Sequence, residues 1–131
     1  MDLKKWKKLA EHETYRYRDN QAFVQAVLDC GKLSGGEKMQ HRAKWVLAVD
    51  YAKEYLDRHD PVKAAFFSTL FGLTRPVRRR GHRTIVALSQ ELHVTPSTLY
   101  QWKNEALSLV LLAAAQTGAL RPYTLEDPPS E

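Results

Sequence analysis

At 131 residues the chain is long enough for one domain with a sizeable core, and 44% apolar against 27% charged residues excludes a disordered polyelectrolyte. Its longest apolar run, Leu107–Ala115, is interrupted by Ser108 and falls short of the ~18–20 residues that a membrane span requires. The net charge of +5 suits a nucleic-acid partner, and it is unevenly spread: residues 1–60 carry 12 Lys+Arg against 10 Asp+Glu (+2), residues 61–125 carry 8 against 2 (+6).

Cys30 is the only cysteine, so an internal disulfide and zinc-finger spacing are both excluded. The five histidines show no paired ligand spacing, and no metal or cofactor is expected. There is no phosphate-cradling glycine loop, nucleophile–base pair or cluster of carboxylates. The expectation is therefore binding without catalytic residues. The opening Met1-Asp2-Leu3-Lys4-Lys5-Trp6 lacks an apolar signal core, which points to a cytoplasmic protein with no membrane partner.

The apolar spacing is helical nearly throughout, which predicts an all-α fold: a helical N-terminal region followed by a C-terminal helix-turn-helix unit. A first helix covers Leu3–Glu13, with Leu3, Trp6 and Ala10 on one face. Its lysines, Lys4, Lys5, Lys7 and Lys8, read as a solvated surface. Thr14–Arg18 alternates aromatic and basic residues and suggests a short extended link. Asp19 or Asn20 is placed to cap a second helix carrying Phe23, Val24, Val27 and Leu28, and Gly31 to end it. Ser34-Gly-Gly-Glu37 has capping-box spacing and opens the longest helix, about residues 37–59. Trp45, Val49, Ala52 and Leu56 form its stripe, widened by Val46, Ala48 and Tyr55. That stripe faces either the chain's own core or a second subunit, so a homodimer is a candidate assembly.

Residues 60–120 read as a second region. Asp60-Pro61 is a strong start signal for a helix that Phe71-Gly72-Leu73 closes. Thr74–Arg83 holds Arg75, Arg78, Arg79, Arg80 and Arg83 with Pro76 and Gly81, and predicts a loop. These arginines are candidate phosphate contacts beside the next element; the alternative is a solvated basic loop. Residues 121–131, with Pro122, Pro128 and Pro129, are expected to form a disordered tail.

The most informative stretch runs from Thr84 to Leu107. Ile85, Leu88 and Leu92 recur at steps of three and four, and Ser89 is small enough for a close helix crossing. His93 occupies the turn position usually held by glycine, which suits histidine because it is enriched at positive φ. Val94 plugs the turn, Thr95 caps and Pro96 restarts a helix, and Leu99, Trp102 and Ala106 face inward. The helix then continues through an apolar extension to a stop at Gly118.

That arrangement leaves Ser97, Thr98, Tyr100, Gln101 and Asn104 as candidate base-reading residues near the start of a recognition helix. Gln and Asn side chains pair bidentately with adenine. Thr95 and Lys103 join the five arginines as candidate phosphate contacts. Double-stranded DNA is the expected partner.

The segment Leu88-Ser-Gln-Glu-Leu-His-Val-Thr-Pro-Ser-Thr-Leu-Tyr-Gln-Trp102 resembles the general bacterial helix-turn-helix pattern. Over about residues 60–110, the order aromatic-Gly-Leu (Phe71-Gly72-Leu73), insert, and Thr84 at the next helix start resembles region 4 of sigma-70-type factors. A long helix ahead of such a unit is similar to phage transcriptional regulators of the ArpU type. The resemblance implies a sequence-specific transcriptional regulator of phage or mobile-element type, with RNA polymerase as a further candidate partner. Tyr100-Gln101-Trp102 stands where sigma factors are more charged, a departure at the positions that would read a promoter. Two other readings share the same features: a small terminase-like or replication accessory subunit, and a protein-interaction module.

Overall fold

The computed structural model describes residues 3–30, 36–74 and 82–120, with residues 82–83 described in the backbone alone. The described residues form six helices and no strand: α1 (Leu3–Tyr15), α2 (Tyr17–Asp29), α3 (Gly36–His59), α4 (Pro61–Phe71), α5 (His82–Leu92) and α6 (Pro96–Thr117). The fold is all-α, as the periodicity implies. No helix among the described residues is long and apolar enough to cross a membrane.

The extended link expected over Thr14–Arg18 is absent. Helix α1 runs to Tyr15, and α2 begins at Tyr17 after one residue, Arg16, at φ −88° and ψ 5°. Backbone bonding continues across this break, from Arg16 N–H to the His12 carbonyl and from Asn20 N–H to the Arg16 carbonyl. The aromatics explain the outcome. Two residues apart on a helix, Tyr15 and Tyr17 point in nearly opposite directions and find different partners. The Tyr15 ring packs at a tilt against Phe71, with centroids 4.6 Å apart, and the Tyr17 hydroxyl donates to Asp50 at 2.6 Å. Asp19 and Asn20 consequently lie inside α2, and neither caps it. Asn20 is buried, and its amide donates to Glu13 at 3.5 Å. The expected stop at Gly31 and the Ser34 cap fall outside the described residues.

The remaining boundaries follow their local chemistry. Asp60 accepts a bond from the Lys63 N–H at 3.2 Å, Pro61 takes the first position of α4, and Gly72 closes it at φ 66°. Gly118 closes α6 at φ 85°.

The core is one buried cluster that includes Trp6, Leu9, Trp45, Val49, Phe66, Phe67, Leu70, Ile85, Leu99 and Val110. Helix α3 lies at its centre and packs most extensively on α6, with α2 and α4 also against it, while α1 packs along α6. The expected stripe on α3 is buried at Trp45, Ala48, Val49, Ala52 and Leu56. Tyr55 is a correction: it is 50% exposed and stacks on His59 at 4.3 Å, one turn along the same helix.

Candidate nucleic-acid interface

The candidate interface is built on the connection between α5 and α6. Helix α5 ends at Leu92 and α6 begins at Pro96, so three residues make the turn. His93 sits at φ 56°, the left-handed conformation that most side chains avoid. The Val94 N–H donates to the Ser89 carbonyl at 3.1 Å, and the Ser89 hydroxyl donates to the Val94 carbonyl. Ser89 thus ties the turn back to α5 with both its backbone and its side chain. Thr95 then caps α6, its hydroxyl accepting from the Thr98 N–H at 3.3 Å.

Burial fixes how α6 is rotated. Leu99 is fully buried and Ala106 nearly so, as their spacing implies. Trp102 differs from the expectation of a buried residue. It is half-buried, with its ring edge-on to Phe66 at 5.8 Å and the Lys63 ammonium 5.8 Å from its centroid. It covers the margin of the core instead of filling the centre.

The five candidate base-reading residues divide into two groups. Ser97, Gln101 and Asn104 are exposed. Thr98 and Tyr100 are half-buried; the Thr98 hydroxyl lies 2.9 Å from that of Thr95. At steps of four and three, Ser97, Gln101 and Asn104 share one face of the helix, and Ser108 continues the row. They line a polar groove of about 440 Å³ to which α1 contributes Lys7. Sequence reasoning missed Lys7 because only the packing of α1 along α6 brings it there. Ser108, four residues beyond Asn104, was within reach of the periodicity.

The candidate phosphate residues are less uniform. Thr95 is exposed but engaged in its cap. Lys103 is ion-paired with Glu11 of α1 at 2.5 Å, and only 17% of its side chain is exposed. Lys63, near the same end of α6, is held by Glu105 at 2.8 Å and by Asp60 at 3.9 Å. The Glu105 bond, with the nearby carboxylates, raises the Lys63 pKa above its ordinary value. Arg75, Arg78, Arg79 and Arg80 lie outside the described residues, as does the side chain of Arg83.

No family model matches the chain, and no curated protein or solved structure matches it either. The functional reading therefore rests on the residues themselves.

Proposed function

We propose that the chain binds double-stranded DNA sequence-specifically, with α5 and α6 as a helix-turn-helix and α6 as its recognition helix. Its cellular role on this reading is transcriptional regulation of the phage or mobile-element type that the sequence resembles. The observation that carries the reading is the exposed row Ser97, Gln101 and Asn104 on the first turns of a helix that follows a three-residue turn. Recognition helices present that part of themselves to base edges in the major groove. The side-chain types also fit, because a primary amide can donate to and accept from one adenine edge. The pI near 9.4 supports an anionic partner.

The test is substitution on that row. Gln101→Ala and Asn104→Ala are expected to cost ~1–3 kcal/mol at the base pair each contacts and to relax preference there. Competition binding against duplexes that differ at single positions measures this. An equal loss for every duplex would reassign these side chains to the DNA backbone. Unchanged binding would remove them from the interface.

A further inference from the structure

The side of α3 that turns away from the core carries three large apolar side chains. Leu47, Tyr51 and Tyr55 recur at steps of four and are 46%, 51% and 50% exposed. At about 100° per residue they form one strip, roughly 130° round the helix from the buried Trp45, Val49, Ala52 and Leu56. A single exposed leucine or tyrosine is ordinary, but a row of three on one helix face is the kind of patch that marks a contact surface. Tyrosine in particular is enriched at the centres of protein interfaces.

The charges beside the strip show which partner fits it. Lys44 lies three residues before Leu47 and Glu54 three residues after Tyr51, so the strip runs from a positive end through an apolar middle to a negative end. A second α3 laid antiparallel, with Leu47 opposite Tyr51 of the second copy, sets Lys44 opposite Glu54 of that copy. The two-fold axis repeats both contacts, as an isologous interface requires. In the same register Arg58 meets the uncharged Gln40. Other pairings oppose like charges, which is unfavourable. A parallel pairing sets Lys44 on Lys44 and Glu54 on Glu54. An antiparallel pairing with Tyr51 on Tyr51 sets Lys44 against Arg58. Glu54 already accepts from Arg58 on its own helix at 2.6 Å, with both side chains more than half exposed. A carboxylate accommodates several donors, so this bond does not prevent a second one from the copy's lysine.

We infer that this strip of α3 is the contact surface for a second copy of the chain, the two α3 helices pairing antiparallel with Leu47 against Tyr51 and Lys44 against Glu54. The paired stretch from Gln40 to Arg58 is about 27 Å long on a helix about 10 Å across. Such a strip falls short of the ~800 Å² per partner of a standard stable interface, so the dimer is a weak one that forms at micromolar concentration or above. The contact uses no residue of the α6 row and stands apart from the duplex-DNA reading.

Sedimentation equilibrium of the full chain, without DNA, over about 1 to 500 μM tests the pairing. The average mass rises with concentration from that of one chain towards that of two. Tyr51→Glu puts a carboxylate in the middle of the strip and weakens association by about tenfold or more. Lys44→Glu and Glu54→Lys each weaken it by about tenfold. The double variant Lys44→Glu/Glu54→Lys restores opposite charges across the pairing at unchanged net charge, and returns association to within about threefold of the parent. Leu112→Glu, at the exposed rim of the apolar groove between α1 and α6, leaves association unchanged. Thermal unfolding of each variant accompanies the mass measurement, and if Tyr51→Glu unfolds the chain the charge-swap rescue decides. A parent that stays monomeric throughout overturns the inference and leaves the strip to a different protein. Association that survives Tyr51→Glu in a folded chain, or that Leu112→Glu abolishes instead, places the interface elsewhere and overturns it. A double variant no tighter than either single one overturns the pairing of α3 with α3.

Discussion

His41 shows how one residue reports on packing. It sits on α3 facing Glu13 and Arg16 from the α1–α2 junction, with Lys44 and Arg42 nearby on its own helix. Burial pushes its pKa below the ordinary value of 6.5; the Glu13 carboxylate pulls it back up, and Lys44, Arg16 and Arg42 press it further down. The unfolded chain therefore binds a proton at His41 before the folded chain does, and stability falls as pH drops through and below 6.5. Above that value both states are neutral and the residue contributes nothing to the pH dependence. Urea unfolding between about pH 7.5 and pH 5 is expected to show a smaller loss for His41→Gln than for the parent chain. Equal losses would mean that His41 is protonated as easily in the folded state.

Trp102 is only partly enclosed. A fully buried aromatic truncated to alanine costs ~3–5 kcal/mol, but part of this ring already meets solvent or the Lys63 ammonium. Trp102→Ala is expected to destabilise by about 2–3 kcal/mol and to leave the chain folded, as measured by denaturant midpoint. A cost below about 1 kcal/mol would show that the Phe66 contact contributes little. The sequence placed Trp102 inward by its step of three from Leu99. Spacing alone could not show that Leu99 takes the centre of the core and leaves the tryptophan at its edge.

At the scale of elements, the boundaries legible in the sequence are those with a cap that acts locally. Asp60-Pro61, Gly72, Thr95-Pro96 and Gly118 each use a short-range hydrogen bond or a backbone preference, and each lies where its local chemistry puts it. Even His93 was readable, because the conformation it adopts is a property of a single residue. The α1–α2 junction was not readable in this way. Its alternation of aromatic and basic side chains suggested a strand-like link, and contacts with Phe71 and Asp50, far along the chain, decided for helix. Thr95→Ala removes the hydroxyl that accepts from the Thr98 N–H and is expected to cost about 1 kcal/mol. Because this cap starts α6, the proposed recognition helix, the same variant is expected to weaken duplex binding in proportion. Chemical denaturation and DNA titration of one preparation measure both. Lost stability with unchanged binding would separate the start of α6 from the interface.

For the molecule as a whole, the sequence suggested two successive regions divided near residue 60, and the buried cluster crosses that point: Trp6, Leu9 and Ala10 share it with Val110, Ala113 and Ala114. The division of charge showed where the positive excess lies along the chain but not where it lies in space. Lys7 belongs to the nearly neutral half, yet the packing of α1 on α6 brings it to the groove beside Gln101 and Asn104. The candidate reading face was legible because it depends on the period of one helix. The approach of Lys7 to that face was not, because it depends on which two helices pack. Whether the row Ser97, Gln101 and Asn104 reads duplex DNA is decided by selecting bound sequences from a pool of random duplexes. The parent chain is expected to enrich a defined motif, with that motif degraded at one position by Asn104→Ala and at another by Gln101→Ala. Recovery of an unenriched pool, or of the same motif with both variants, would contradict it.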